Sequence, residues 1–222
     1  MKALALASLT LGVAGPLFAQ VDPAHRVFSP LSGTDTLLVD NQGVTLHTWS
    51  SSQVAGNTVY VEPDGTLLRC VRTGVAGPGG GTGGGVERLA LDGTVLWSFD
   101  YDTGGNIHHH DVEALPNGNV LLIAWETKTQ AEAIAAGRNP AILTGPSFFP
   151  DHLIEVEPSG ASGGAIVWEW HVWDHLIQDF DATKANFGDV SAHPELIDIN
   201  FPPNNQPDFN HSNSVDYDAE HD

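Results

Sequence analysis

The sequence predicts an all-β protein with β-propeller architecture, in which four-stranded sheets surround a central channel. Three observations support this prediction. The 222-residue chain is rich in turn-forming residues, with 24 glycines and 14 prolines. Short apolar segments alternate with Asp-Gly or Asn-Gly turns, which are typical of β-hairpins. These segments also recur along the chain, and 41% hydrophobic residues are enough for a core of ordinary size.

Two kinds of hairpin carry the repeat. One kind ends in a strand with tryptophan, as in "NQGVTLHTW" (41–49), "LDGTVLW" (91–97) and "SGGAIVWEW" (162–170). The other has a proline before the turn, as in "VYVEPDGTLLRC" (59–70) and "VEALPNGNVLLIAW" (112–125). The prolines of the second kind are separated by about 50 residues, the length of one blade, so the chain predicts roughly four blades.

Residues 1–19 have the pattern of a secretory signal peptide. A lysine precedes an apolar run, Gly15-Pro16 breaks it, and the small residue Ala19 precedes the expected cleavage before Gln20. We therefore expect a periplasmic or secreted protein, with residues 20–222 as the mature domain. Cys70 is its one cysteine. No internal disulfide can form, and we expect Cys70 to be a buried strand residue rather than a nucleophile.

Two segments interrupt the strand pattern. Residues 127–139 are alanine-rich and predict a short helical insertion between blade strands, with Gly137 as its C-terminal stop. Residues 77–85, "GPGGGTGGG", match the G-x-G-x-x-G pattern only through their glycine density. Because strands and a turn follow this run, we expect a flexible inter-strand loop rather than a phosphate-binding cradle.

The charge of the chain excludes several partners. Eight Lys and Arg residues stand against 28 Asp and Glu residues, which gives a formal net charge of −20. Nucleic acid and anionic membrane surfaces would repel such a chain. We therefore predict no nucleic-acid and no membrane partner.

Histidines occur at equivalent places in two repeat units, "HHHDVEAL" and "HSNSVDYD". Alignment of Val112 with Val215 places His108 opposite His211. Equivalent blade positions converge on the channel, so the two histidines are candidates for one site. In a regular strand His108 and His109 point to opposite faces, so all three histidines of the run reach one pocket only if the strand bends. The alternative is that these imidazoles cap strand ends and bind turn carbonyls.

The histidine spacing lacks the pattern of common zinc sites, so no metal ligand is predicted. The segment "QDFDATKANFGDV" also fails as a calcium loop, because Lys184 replaces the required glycine.

Several segments together resemble the bacterial aryl-sulfate sulfotransferases. The resemblance covers roughly residues 85–222 and rests on "HHDVEALPNGNVLLIAWE", "AAGRNPA", "VWEWHVWDHLIQDFD", "HPELIDINF" and "DFNHSNSVDYD". It implies a six-bladed propeller that transfers a sulfuryl group from a phenolic sulfate ester to a phenol, through a sulfated histidine. The implied reaction uses no cofactor and no nucleotide donor.

The resemblance also implies site residues. His211 and Asn213 match the family's H-x-N-S pair, and His109 matches the histidine of the "HHD" motif, whereas the repeat alignment favours His108. The predicted catalytic residues are therefore His109 and His211, and the predicted substrate-binding residues are His108 and Asn213. Imidazole suits such chemistry because it is neutral near pH 7 and leaves readily once sulfated.

The sequence departs from the family in one respect. The family's sulfate-binding arginine and its sulfated histidine follow the H-x-N-S strand, and this sequence has no match to either. We therefore expect an N-terminal part of a longer propeller that is inactive alone.

Two alternatives remain. One is a secreted propeller that acts as a binding or scaffold protein with structural histidines. The other is a quinone-dependent dehydrogenase propeller, which ranks last because Trp49, Trp97 and Trp168 are unevenly spaced.

Overall fold

The computed structural model describes residues 25–143, 145–201 and 204–220, so the predicted signal segment, 1–19, lies outside the described residues. The described part consists mainly of antiparallel sheets and confirms the all-β prediction. One short α-helix, α1 (Gln130–Ala135), follows the tenth strand. In chain order the strands are β1 (Arg26–Phe28), β2 (Asp35–Val39), β3 (Thr45–Ser50), β4 (Val54–Val61), β5 (Leu67–Arg72), β6 (Gly84–Leu89), β7 (Val95–Asp100), β8 (Asn106–Ala114), β9 (Val120–Glu126), β10 (Lys128–Thr129), β11 (Ser147–Phe148), β12 (Asp151–Pro158), β13 (Gly164–His171), β14 (Leu176–Ile177) and β15 (Ile197–Asp198).

The sequence repeat corresponds to two four-stranded antiparallel sheets. The first has the order β4-β5-β6-β7 and the second the order β8-β9-β12-β13. Pro63 lies in the turn from β4 to β5 and Pro116 in the turn from β8 to β9, so both prolines occupy the first hairpin of a sheet. Trp97 and Trp168 lie in the last strand of each sheet. The hairpins predicted from local turn chemistry at residues 59–70 and 112–125 are therefore present, one in each sheet.

The length-based count of roughly four blades is not confirmed by the described residues. Besides the two four-stranded sheets they contain a three-stranded sheet, β1-β2-β3, and two pairs of short strands, β10-β11 and parallel β14-β15. Two stretches lengthen the chain without adding blade strands: the insertion between β9 and β12, and residues 172–201 with their short 3-10 turns. The expected number of blades was too high for the described residues because it was obtained from the chain length, which includes both stretches.

The predicted helical insertion is confirmed, although the helix is shorter than residues 127–139. Thr129 caps α1, because its hydroxyl accepts from the backbone N–H of Glu132 while the Glu132 carboxylate accepts from the Thr129 N–H. Gly137 has φ +105°, a conformation that ends a helix and strongly favours glycine. Both ends are therefore determined by local sequence.

The main core lies between the two four-stranded sheets. Each sheet contributes apolar side chains from its facing surface, and these are Leu68, Cys70, Val86 and Trp97 from the first and Val112, Val120, Leu122, Ile154 and Val156 from the second. The Cys70 side chain is 1% exposed, and burial raises the pKa of its thiol to about 12. This confirms that Cys70 is a structural strand residue. Among the described residues, no helix is long and apolar enough to cross a membrane.

Candidate functional site

A β-bulge in β8 separates the three consecutive histidines. The pairing of β8 with β9 shifts register between His108 and Val112, and His110 has φ +56°. A positive φ is uncommon for a residue other than glycine and carries backbone strain. In a regular strand the side chains of His109 and His110 would point to opposite faces. The bulge bends the strand and brings the two rings to a centroid separation of 5.2 Å.

His108 remains on the opposite side of the strand. Its ring is fully buried, with Nε2 3.2 Å from the Asp111 carbonyl oxygen and 3.6 Å from Cys70 Sγ. Burial, followed by the neighbouring His109, lowers the pKa of His108 to about 3. His108 is therefore a neutral interior imidazole near neutral pH, and the structure does not bring it to the other histidines.

His109 is buried on the other side of the strand and both of its ring nitrogens have partners. Its ring stacks on Trp125, Nε2 lies 3.1 Å from Asp151 Oδ1, and Nδ1 lies 2.9 Å from His110 Nδ1. The side chain is 0% exposed. The stack on Trp125 and the contacts of both ring nitrogens thus fix the position and orientation of His109.

His211 joins this group from the distant C-terminal segment. Its ring centroid lies 6.0 Å from that of His109 and 4.8 Å from that of His110, and its Nδ1 lies 2.5 Å from Asp208 Oδ2. The other oxygen of Asp208 accepts a 2.9 Å hydrogen bond from Trp125 Nε1. We call His109, His110 and His211 the histidine cluster.

Two aspartates hold the C-terminal segment beside β8. Asp151 Oδ2 accepts hydrogen bonds from the backbone N–H of Ser212 and from Asn210 Nδ2, and Asp111 Oδ2 accepts one from the backbone N–H of Val215. Because Asp151 also binds His109, one carboxylate links the β8 bulge to the segment that carries His211. The meeting of the two histidine segments therefore depends on charge-assisted hydrogen bonds.

The glycine-rich segment is an inter-strand loop that packs against the histidine cluster. The His110 backbone N–H donates to the Gly81 carbonyl, and the Gly83 N–H donates to the His108 carbonyl. A Cβ at Gly81 would overlap the His110 ring, and one at Gly79 would overlap the Asp208 carboxylate. Strand β6 follows the loop, so the segment lacks the helix that a phosphate cradle requires. Its glycines permit close approach of backbone to side chains.

Asn213, the other predicted site residue, is exposed. The amide bonded to Asp151, the carboxylate partner of His109, is instead that of Asn210. Sequence reasoning also missed Asp151, Asp208 and Trp125 as partners of the histidines. A signal was available for Asp208 and Asn210, since both lie in the segment "DFNHSNSVDYD" that carries the family resemblance.

The cluster has the chemistry of a proton acceptor or nucleophile. Burial, then His109 and His211, lower the pKa of His110, whereas Asp151 and Asp208 raise it to a smaller extent. Neutral imidazoles with fixed orientation can accept protons near pH 7. Within the described ranges, no group of three or more His, Cys, Asp or Glu side chains is arranged to hold a metal ion.

Comparison with known proteins identifies one family. A family model described as arylsulfotransferase (ASST) matches residues 32–222. The match covers most of the chain and begins well before residue 85, where the resemblance in the sequence becomes visible. A search of curated proteins gives no match.

Proposed function

Because the chain belongs to the arylsulfotransferase family, we propose that it serves in the transfer of a sulfuryl group from a phenolic sulfate ester to a phenol, through a sulfated histidine for which this sequence has no match. The proposed partners are small molecules, an aryl sulfate donor and a phenolic acceptor. The net charge of −20 disfavours nucleic acid as a partner.

One observation carries the proposal. His109 and His211, the two histidines selected by the family resemblance, come from segments that are about 100 residues apart, yet their ring centroids lie 6.0 Å apart. Each ring is also held by a carboxylate, Asp151 or Asp208. Carboxylates that orient imidazoles are a recurring feature of group-transfer sites.

The chemistry that we propose uses the histidines in two ways. Sulfuryl transfer spreads negative charge over three oxygens, and the His211 imidazole together with the exposed amide of Asn213 supplies donors to that charge. The acceptor phenol must lose its proton, and a neutral imidazole accepts it. The resemblance assigns the sulfated histidine to a later position, so neither His109 nor His211 has to carry the sulfuryl group. His108 has no part in this proposal, because it is buried between the sheets.

The proposal is tested with protein expressed from the complete reading frame. The assay is release of the coloured phenol from para-nitrophenyl sulfate, with and without a phenol acceptor. His211→Ala should lower turnover by about two or more orders of magnitude, the scale of losing one preorganised donor. The matched control is His193→Ala, which removes a half-exposed imidazole bonded to Glu195. Unimpaired transfer by His211→Ala would mean that the H-x-N-S match is structural.

The same assay separates the second candidate, a secreted propeller that binds ligands without chemistry. The fully buried His108 favours this candidate, because it shows that a histidine of the run can be structural. Phenol binding measured by calorimetry, together with no acceptor-dependent release by the wild type, would support a binding protein.

We also propose that the precursor is exported and cut after Ala19. The pattern of residues 1–19 supports this proposal. Intact-mass analysis of exported protein should give Gln20 or a near neighbour as the first residue. Exported soluble protein that retains Met1 would contradict the proposal.

A further inference from the structure

We infer that His110, rather than His109, is the β8 imidazole that meets the substrate, and that Asp151 and His109 form a hydrogen-bonded chain that fixes the proton on the His110 ring. The inference rests on the proposed function and deepens it. It divides the histidine cluster into one positioning residue and two substrate-facing residues.

His109 lacks the means to contact a substrate. Its side chain is 0% exposed, one ring face is covered by Trp125, and both nitrogens are engaged, by Asp151 and by His110. A ligand could bind the His109 ring only if one of these contacts were broken. His110 is only partly buried and His211 is 32% exposed, so these two rings remain accessible.

The proton positions follow from the donor and acceptor inventory of the chain. Asp151 receives donors from Asn210 and Ser212 and acts as the acceptor for His109 Nε2–H. In the arrangement that we propose, the His109 ring carries one N–H, on Nε2, and its Nδ1 is the acceptor. The 2.9 Å contact between the two Nδ1 atoms then requires that His110 Nδ1–H is the donor. The lone pair of His110 therefore lies on Nε2.

His211 is oriented by a separate carboxylate. Its Nδ1 lies 2.5 Å from Asp208 Oδ2, so Nδ1–H donates to the carboxylate and Nε2 points away from it. The His110 and His211 rings meet edge to face with centroids 4.8 Å apart. In both rings, therefore, Nδ1 has a partner in the protein and Nε2 is the nitrogen that we assign to the ligand.

The backbone supports this assignment. His110 occupies the strained position of the bulge, with φ +56°, and the absence of a side chain at Gly81 leaves room for its ring. Strained backbone positions of this kind cluster at active sites and ligand clamps. Burial also lowers the pKa of His110, which favours the neutral form of its ring.

In the proposed step the O–H bond of the acceptor phenol breaks, its proton binds His110 Nε2, and the oxygen keeps the electron pair. That pair forms the new O–S bond while the bond from sulfur to the sulfated imidazole breaks, and its pair returns to that ring. The positive charge on His110 is shared through His109 Nε2–H with the Asp151 carboxylate.

The first test uses long-range proton–nitrogen NMR of the imidazole rings in the wild-type protein. We expect His110 to show a protonated Nδ1 and an unprotonated Nε2, and added phenol should shift the His110 Nε2 signal and leave the two nitrogens of His109 unchanged. Asp151→Asn should convert the His110 ring to a mixture of tautomers. A phenol-dependent shift at His109 without one at His110, or an unprotonated His110 Nδ1, would overturn the inference.

The second test measures turnover. His110→Asn should lower kcat by about two or more orders of magnitude, the loss expected for a proton acceptor. Asn tolerates positive φ, so the bulge should persist and thermal unfolding should confirm the fold. His109→Phe keeps the stack on Trp125 and should lower kcat, leave KM nearly unchanged and flatten the pH profile of kcat. Full activity of His110→Asn would overturn the inference.

The two tests distinguish this inference from the proposed function. A wild type that transfers no sulfuryl group contradicts the proposed function, while the phenol titration still decides which imidazole faces the ligand. His193→Ala is the control in both measurements, because its ring binds Glu195 far from β8 in sequence and is half exposed.

Discussion

His109 lies flat against Trp125, with ring centroids 3.8 Å apart and an interplanar angle of 16°. The same indole donates its Nε1–H to Asp208, which binds His211. One buried tryptophan therefore positions both histidine segments, one by stacking and the other through a carboxylate.

Replacement of Trp125 by Phe should separate these two roles. The phenyl ring keeps an aromatic face for His109 but removes the Nε1–H that Asp208 accepts. We expect the free energy of unfolding to fall by about 1 kcal/mol or more, the cost of leaving a partly buried acceptor without its donor. Urea unfolding measures the change. Trp168→Phe, at a 46% exposed position, is the control. Equal stability of the two variants would show that the Nε1 hydrogen bond contributes nothing.

A pair of glycine variants should reveal the packing of the loop on His110. A Cβ at Gly81 would overlap the His110 ring, and Gly81 also has φ +77°, whereas a Cβ at Gly80 meets nothing within 4 Å. Gly81→Ala should destabilise the fold by about 1–3 kcal/mol and shift the His110 ring signals in NMR. Gly80→Ala should change neither. A Gly81→Ala protein that unfolds at the wild-type temperature would contradict the close packing.

The buried His108 should make stability depend on pH. Its folded pKa of about 3 lies below the value of 6.5 expected in the unfolded chain, so the unfolded state binds more protons between these values. The stability that the neutral His108 contributes to the folded state is therefore complete above about pH 6.5, and it is lost as the pH falls towards 3. His152, whose pKa burial lowers to about 4, acts in the same direction.

The measurement is urea unfolding at several pH values between 3 and 7. His108→Leu should flatten the pH dependence, because Leu binds no proton in either state. The groups that face His108 are Cys70, Asp111, His109 and His110, and they are unchanged in this variant. Val86→Ala, a change in the same core that removes no titratable group, should keep the wild-type slope. An equally steep slope in His108→Leu would mean that His108 is not buried in its neutral form.

The ion pair of Arg69 and Glu87 should be costly to break. The two side chains are 0% and 2% exposed, and Arg69 Nη1 also donates to Thr36 Oγ1. Glu87→Gln leaves a buried guanidinium uncompensated and should lower the free energy of unfolding by about 3–5 kcal/mol. The comparison variant is Glu62→Gln, in the more exposed pair with Arg88, with an expected loss of about 1 kcal/mol or less.

Chemical unfolding measures both losses, and a double variant of Arg69 and Glu87 to Met completes the test. Apolar replacement of both charges should restore part of the stability, since the cost comes from an unpaired charge and not from the absence of the pair. Equal losses in Glu87→Gln and Glu62→Gln would contradict the difference in burial.

The sequence alone determined the hairpins and the place of the helix. The turns near Pro63 and Pro116, the tryptophans in last strands and the capped helix beginning at Gln130 all depend on residues close together in the chain. The resemblance also selected the two segments that meet, those of His109 and His211. Local rules and a family pattern suffice for these features because neither requires knowledge of distant contacts.

Only the tertiary structure decided where each histidine lies. Side chains alternate along a strand, so a bulge within three consecutive histidines reverses the direction of those that follow, and the sequence contains no signal for its position. The bulge places His108 in the interior and His110 beside His211. The partner of His109, Asp151, is 42 residues away on another strand of the same sheet. Such pairs form only when distant strands assemble into the sheet, because hydrogen bonds to buried imidazoles depend on which groups folding brings together.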